Sequence, residues 1–282
     1  SPVTLLVYHQ RRLDEYEKVG RKSVFKTHYC RNQSLPCQQS PDRTLATESG
    51  PAPILNLISA VRSSPAVGIM RELKCRLRRE TTVVATQSTM GTIEDIYHRV
   101  FPDPQSRPTF LIGTMSHNVW EVLADTSNYQ LNKDDLQHVL THGRVKQANY
   151  TVVTSGYFID KLIECKDLNA RRVDQSISLR FRLKTAVRAA VFGPMTALQG
   201  CNIGAIFDDE QWKVIGMALI NEAWLIIRHD LPGAISREVV TKWVTGEIRE
   251  KSGCAHSMLT DMMEGHNTDA EAVNGWFVKS GK

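Results

Sequence analysis

The sequence predicts an α/β domain followed by an all-helical domain. Four short β-rich apolar runs, at 3–8, 54–61, 82–86 and 109–115, alternate with stretches of helical spacing. Such alternation is typical of βαβ units around a parallel sheet. After about residue 173 the apolar spacing is almost wholly helical. We therefore expect domains at 1–172 and 173–282, with a cleft between them.

The remaining elements follow from local patterns. Helices are expected at 13–19, 67–77 and 93–100, and the polar stretch 22–52, with its prolines, reads as irregular. Polar–apolar alternation from 116 to 165, as in NYTVVTSGYF (149–158), predicts antiparallel strands. The acidic run Asp208-Asp209-Glu210 begins a helix that ends near 230–233. Further helices are expected at 236–250 and 257–275.

Composition narrows the class of protein. The chain has 282 residues and a net charge of +5, and its basic residues lie in separate short clusters. This balance suits an anionic small molecule such as a phosphate-bearing cofactor and does not require nucleic acid. Six cysteines without a Cys-x-x-Cys pair favour reduced thiols over a disulfide framework. We see no membrane span, signal peptide or metal site, and expect an intracellular protein, cytoplasmic or mitochondrial and not secreted.

Five segments in register resemble one enzyme family. They are PVTLLVYHQRRLDEYEKVGR (2–21), ILNLISAVRSSPAVGIMRELKCRL (54–77), TQSTMGTIEDIYHRVFPDPQSRPTFLIGTMSHNVW (86–120), GPMTALQGCNIGAIF (193–207) and SMLTDMMEGHNTDAEAVNGWFVKSG (257–281). Together they resemble ketopantoate reductase (2-dehydropantoate 2-reductase), particularly its fungal forms. FPDP-x-x-RP and SM-x-x-D…NG are the most specific parts.

The resemblance implies a fold and a reaction. The fold would be a Rossmann-type N-terminal domain and a helical C-terminal domain like that of 6-phosphogluconate dehydrogenase. The reaction would be the NADPH-dependent reduction of 2-dehydropantoate, a small 2-oxo acid, to pantoate. The sequence begins at the strand that corresponds to the second of that fold. The first βα unit and its glycine-rich turn are therefore expected upstream, or else to be missing from this relative.

On the cofactor side, the resemblance implicates four residues. Arg11 and Arg12 follow the first strand, where a Rossmann domain reads the ribose, and basic residues there suit the 2′-phosphate of NADP(H). Solvated charges at a helix start are the alternative explanation. Arg62 lies where the family has a lysine near the cofactor. Ser88 replaces the asparagine of the family's Q-N-G-M-G turn.

On the substrate side, Ser257 matches the family's substrate-binding serine, and Asp269 lies where the family has a glutamate. The family helix carries K-x-x-x-N-x-x-x-N-P, whose polar positions correspond here to Thr185, Ala189 and Gly193. Lys184, one residue before the lysine position, is the candidate catalytic acid. A shift of one position turns a side chain by about 100° around a helix.

Two functions therefore compete. The first is a working NADPH-dependent reductase. The second is a non-catalytic relative that uses the same scaffold to bind another protein or RNA, and the replaced polar residues before Pro194 favour it. In either case a homodimer through the helical domain is expected.

Overall fold

The computed structural model describes residues 4–7, 14, 24–27, 34–36, 42–45, 52–86, 89–114, 119–121, 128–131, 138–141, 155–165, 170–173, 175–231, 235–250 and 252–282. The chain divides into two compact units. Unit 1 comprises 1–60, 67–86 and 96–175, and unit 2 comprises 61–66, 87–95 and 176–282. The predicted domain boundary between residues 172 and 173 stays a prediction. The two inner segments of unit 2, residues 61–66 and 87–95, were not predicted from the sequence.

Unit 1 is built on β-sheets. The described strands are β1 (Thr4–Val7), β2 (Val24–Thr27), β3 (Ser34–Pro36), β4 (Asp42–Leu45), β5 (Asn56–Ser59), β6 (Thr82–Ala85), β7 (Thr109–Thr114), β8 (Val119–Glu121), β9 (Asn128–Leu131), β10 (His138–Thr141) and β11 (Ala170–Val173). The largest described sheet has the order β11-β10-β7-β6-β5. Within it β5, β6 and β7 are parallel, which confirms the predicted parallel sheet.

Three of the described helices lie wholly or partly in unit 1. α1 (Ser63–Glu72) begins in unit 2 and continues into unit 1, as does α2 (Thr92–Arg99), and a 3-10 turn follows α1 at Lys74–Arg76. α3 (Ser155–Glu164) brings Ile159 against Val84 of β6 and Leu111 of β7. All three side chains are buried, which fits strands that are apolar on both faces.

Three expectations for unit 1 were wrong. The stretch 22–52 is not wholly irregular, because it contains β2, β3 and β4; β3 ends at Pro36 on a sheet edge, where proline is tolerated. Residues 155–158 are helical, because Phe158, Ile159 and Leu162 have the spacing that buries a helix face. The first helix after β5 begins at Ser63, four residues before the expected start.

The FPDP-x-x-RP stretch forms a closed loop in unit 1. The guanidinium of Arg107 donates from Nε to the carbonyl of Phe101 at 2.7 Å and from Nη2 to that of Pro102 at 2.9 Å. It also lies 4.9 Å from the ring centroid of Tyr97. Because one arginine satisfies two loop carbonyls, the motif has a structural explanation.

Unit 2 is helical, as predicted. Its helices are α4 (Gln175–Gln199), α5 (Glu210–Asp230), α6 (Arg237–Glu250), α7 (Ser257–Met263) and α8 (Ala270–Ser280), with a 3-10 turn at Ala205–Asp208. Asp209 caps α5 by accepting from the backbone N–H of Gln211 at 2.7 Å, so the acidic start was predicted correctly. The expected single helix at 257–275 is instead two helices, α7 and α8.

The core of unit 2 surrounds α4. Its buried apolar side chains come from every helix of this unit named above except α7. They include Leu183, Val187, Val191, Phe192, Met195, Ile220, Ile227, Val240, Val244, Val273 and Phe277. None of the described helices is long and apolar enough to cross a membrane. The parallel-sheet region followed by a helical region confirms the predicted Rossmann-type α/β plus all-α fold class.

Candidate functional site

Three separate parts of the chain meet in unit 2: residues 61–66 after β5, residues 89–95 after β6, and the helices from α4 onward. Strand ends and helix starts are where parallel α/β proteins present polar groups to ligands. The predicted site residues among the described part of the chain all lie in this unit. Arg11, Arg12 and Ser88 lie outside the described residues.

Arg62 forms an ion pair with Asp261. The Nη1 of Arg62 lies 2.5 Å from Oδ2 of Asp261, whose side chain is 4% exposed against 51% for the arginine. A buried carboxylate needs such a partner, because leaving water without one is costly. Asp261 is the aspartate of SM-x-x-D, four residues after Ser257, and sequence reasoning gave it no role. Its helical spacing from Ser257 was the available signal.

Asp269 also binds the segment after β5. Its Oδ1 accepts a hydrogen bond from the backbone N–H of Ser64 at 3.3 Å, in the first turn of α1. A carboxylate is favourable there because the first N–H groups of a helix have no partner within the helix. Asp261 and Asp269 therefore both hold residues 61–66, which carry Arg62.

Three hydroxyl groups connect the two inner segments of unit 2. Oγ of Ser63 lies 2.5 Å from Oγ1 of Thr89, which lies 2.7 Å from Oγ1 of Thr92. Ser63 and Thr92 are buried, and Thr89 is half-buried. The chain of hydroxyls therefore fixes Thr89, the residue directly after Ser88, against the start of α1.

The turn at Gly91 packs against α8. Gly91 has a φ of +82°, and a Cβ there would lie 2.8 Å from Cδ1 of Trp276. Both the left-handed backbone and the close indole ring exclude a larger residue. Gly91 is the last glycine of the turn that resembles Q-N-G-M-G.

The face of α4 that carries the family's asparagines has small residues here. Thr185 is exposed, Ala189 is half-buried and Gly193 is buried. A Cβ on Gly193 would lie 2.9 Å from Cε of Met258 and 3.3 Å from Cε1 of His256. These two side chains occupy the space that an asparagine at this position would need.

Lys184 is half-buried on α4. It lies nine residues before Gly193, which turns the helix by about 180° relative to that position. A basic residue that sequence reasoning missed, Arg182, lies eleven residues before Gly193 and within about 20° of the same direction. Arg182 is the described cation on the face of α4 that includes Ala189 and Gly193.

Arg182 is buried, with 7% exposure, and its Nη2 donates to the backbone carbonyl of Thr89 at 3.4 Å. Burial lowers its pKa from the ordinary arginine value, and the negative charge of Glu94 raises it in part. The sequence gave no signal for this residue, because its partners follow β6, some 90 positions away.

Asn274 of the NG pair satisfies a carbonyl that Pro194 leaves without a donor. Proline has no N–H, so a proline at 194 cannot bond the carbonyl of residue 190 within α4. Nδ2 of Asn274 donates to that carbonyl, on Ala190, at 3.0 Å. The asparagine and the proline, far apart in sequence, therefore form one structural unit.

Ser257 is exposed at the first position of α7. The preceding residue, His256, caps this helix, its Nδ1 accepting from the backbone N–H of Met258 at 3.2 Å. The hydroxyl of Ser257 thus lies at a helix start, where anionic groups are favoured. Among the described residues, no group of three or more side chains could hold a metal ion.

Comparison with known proteins agrees with this geometry. Residues 179–282 match the family described as "Ketopantoate reductase PanE/ApbA C terminal". The matched residues include α4 from its second turn, Asp261, Asp269 and Asn274. Residues 179–282 are therefore similar to the C-terminal domain of ketopantoate reductases.

The individual relatives are distant. A probable 2-dehydropantoate 2-reductase from Schizosaccharomyces pombe is 21% identical over 237 residues, covering 80% of this chain and 68% of the relative. A D-mandelate dehydrogenase solved with NADH and anilino(oxo)acetate has a TM-score of 0.75 at 13% identity, covering 100% of this chain and 84% of the other. A ketopantoate reductase from Ralstonia eutropha JMP134 has a TM-score of 0.74 at 11% identity, covering 98% and 83%. The structural likenesses establish the fold.

Proposed function

We propose that this chain binds a nicotinamide cofactor and a small 2-oxo acid, and that its reaction is the family's NADPH-dependent reduction of 2-dehydropantoate to pantoate. The observation that carries the proposal is the cluster in unit 2. There, two carboxylates hold the segment with the half-exposed Arg62 close to the hydroxyls that precede α2. Such polar groups beside helix starts suit an anionic cofactor and an acid substrate.

The described residues fit a nicotinamide nucleotide in chemical type. Arg62 offers a half-exposed guanidinium, and Thr89 offers a half-buried hydroxyl next to Ser88. A guanidinium suits phosphate, and a hydroxyl can donate to or accept from the carboxamide. We propose that Arg62 and Ser88 hold the cofactor and that Arg11 and Arg12 select NADP(H) through its 2′-phosphate. When bound, NADPH supplies a hydride.

On the substrate side, we propose that Ser257 donates to the 2-oxo acid. Asp269 contributes to the same site by fixing the start of α1, since its Oδ1 accepts from the Ser64 N–H. Reduction of a keto group also needs a proton for the developing alkoxide. The resemblance makes Lys184 the candidate acid, but Lys184 lies on the side of α4 opposite Gly193, so Lys184→Ala tests whether it or another group supplies the proton.

The second candidate is a non-catalytic relative that binds a protein or RNA. The observation in its favour is the packing at Gly193, where Met258 and His256 fill the asparagine's space. With Thr185 and Ala189 on the same face, α4 lacks the side chains by which the family helix binds substrate and donates the proton. This candidate predicts cofactor binding without turnover, or neither.

A titration with NADPH, followed by tryptophan fluorescence and thermal shift, is the first test. Micromolar saturation together with 2-dehydropantoate turnover would support the reductase, and a fall in kcat of about 100-fold or more in Lys184→Ala would then identify Lys184 as the acid. Saturation without turnover would favour the non-catalytic candidate. Absence of binding at millimolar NADPH would overturn the reductase proposal. Size-exclusion chromatography tests the proposed homodimer through the helical domain.

A further inference from the structure

Arg182 is a buried cation whose donors are incompletely satisfied. A guanidinium has five N–H donors, and the hydrogen bond to the Thr89 carbonyl, at 3.4 Å, is a long one. Within the part of the chain that the structure describes, Nε of Arg182 has no hydrogen-bond partner. Leaving such a donor buried and unpaired destabilises the fold.

Glu94 balances the charge of Arg182 without satisfying these atoms. Its carboxylate raises the pKa of Arg182 against the larger effect of burial, so the two charges act on each other. Yet Oε2 of Glu94 is itself buried without a hydrogen-bond partner among the described residues. The Nε donor of the guanidinium therefore still lacks an acceptor among the described residues.

The position of Arg182 on α4 connects it with the proposed substrate site. It lies on the side of the helix that carries Ala189 and Gly193, within about 20° of the latter. Lys184 projects to the opposite side. Because residues 189 and 193 are small, this face lacks the asparagines of the family helix. Arg182 is the described basic side chain on it.

We propose that Arg182 binds the carboxylate of the 2-oxo acid through Nε and Nη2. These two nitrogens form the edge of a guanidinium that holds a carboxylate by two parallel hydrogen bonds. The long bond from Nη2 to the Thr89 carbonyl gives way when the carboxylate binds. Arg182 is thus a specificity-determining residue, and Glu94 weakens its hold on the ligand. This inference rests on the proposed function, because it needs a 2-oxo acid in unit 2.

The test compares 2-dehydropantoate with its carboxamide, which has the same shape without the charge. Calorimetric titrations in saturating NADP+ give both dissociation constants for the wild type and for Arg182→Gln. We expect Arg182→Gln to weaken acid binding by about 10- to 100-fold and to leave carboxamide binding nearly unchanged. Glu94→Gln should tighten acid binding. Arg182→Lys should recover part of the acid-over-amide preference, since it restores the charge without the paired donors.

Two further variants separate this role from folding. Arg180→Gln removes an exposed cation from the same helix and should leave both dissociation constants unchanged. The double variant Arg182→Gln/Glu94→Gln removes both buried charges together. It should therefore fold, and it should still lose the preference for the acid over the amide. The thermal midpoint of each variant reports on folding directly.

The outcomes are distinguishable. Equal loss of acid and amide binding in Arg182→Gln would mean a purely structural role and would overturn the inference. A preference retained in a folded Arg182→Gln variant would overturn it as well, with the proposed function intact. If the wild type binds NADPH but neither probe, the substrate part of the proposed function fails and the inference falls with it.

Discussion

The pairing of Asn274 with the proline break in α4 makes the sharpest prediction. Asn274→Ala removes the Nδ2 donor, so the carbonyl of Ala190 is left without a partner because Pro194 has no N–H to offer. An unsatisfied buried carbonyl costs about 1–3 kcal/mol. At about 2–4 °C per kcal/mol for a chain of this size, thermal unfolding followed by far-UV circular dichroism should show a midpoint lower by about 2–12 °C.

Pro194→Ala completes a double-mutant cycle with Asn274→Ala. Alanine restores an N–H at the position that bonds the carbonyl of residue 190 within the helix. In this background Asn274→Ala should cost less than in the wild type, by about 1–2 kcal/mol. The coupling energy of the cycle isolates the interaction from effects of either change alone.

Asn221→Ala, a similar truncation at a half-buried position of α5, is the matched control. It should have the same effect with and without Pro194→Ala, so its coupling energy should be close to zero. Additive effects for Asn274 and Pro194, within about 0.5 kcal/mol, would refute the reasoning.

Three further predictions follow from the same contacts. Arg62→Ala should lower the thermal midpoint, because it leaves the buried Asp261 carboxylate without its counter-charge. The loss in stability should be at most about 1–3 kcal/mol, since the arginine is half-exposed and water screens the pair, and it should shrink in an Asp261→Asn background. Burial raises the pKa of the Cys201 thiol, so at neutral pH mass spectrometry should find it alkylated more slowly than the exposed cysteines, with the gap narrowing as pH rises; equal rates at neutral pH would contradict this. Gly193→Asn should destabilise by about 1–3 kcal/mol through overpacking, and an unchanged midpoint would show that the site has room.

The elements that could be predicted from the sequence are those whose signal is local. β6 is buried at all four positions, and the β-rich run TVVAT predicts a strand there. α5 begins beside an acidic cap and ends where the helical spacing stops. Neither requires knowledge of a distant partner, so periodicity and capping suffice.

Strands and site residues that depend on distant partners could not be predicted in this way. β2 pairs with β9, about one hundred residues later, and its four residues carry little alternation of their own. Asp261 finds Arg62 across 199 positions. The place of Asp269 on the substrate side stays a prediction of the resemblance, and its contact with the Ser64 N–H, at the start of α1, could not be predicted from either segment alone.

At position 193, neighbouring side chains fill the altered face of α4 instead of leaving it empty. Had an asparagine at 193 simply been lost, a void would remain beside Gly193. Instead the methyl of Met258 and the ring of His256 reach to within 2.9 Å and 3.3 Å of where a Cβ would lie. Because the space is filled, returning asparagine there requires a smaller residue at 258 as well. The carboxylate site proposed at Arg182, three helical turns away on the same side of α4, does not require an asparagine at 193.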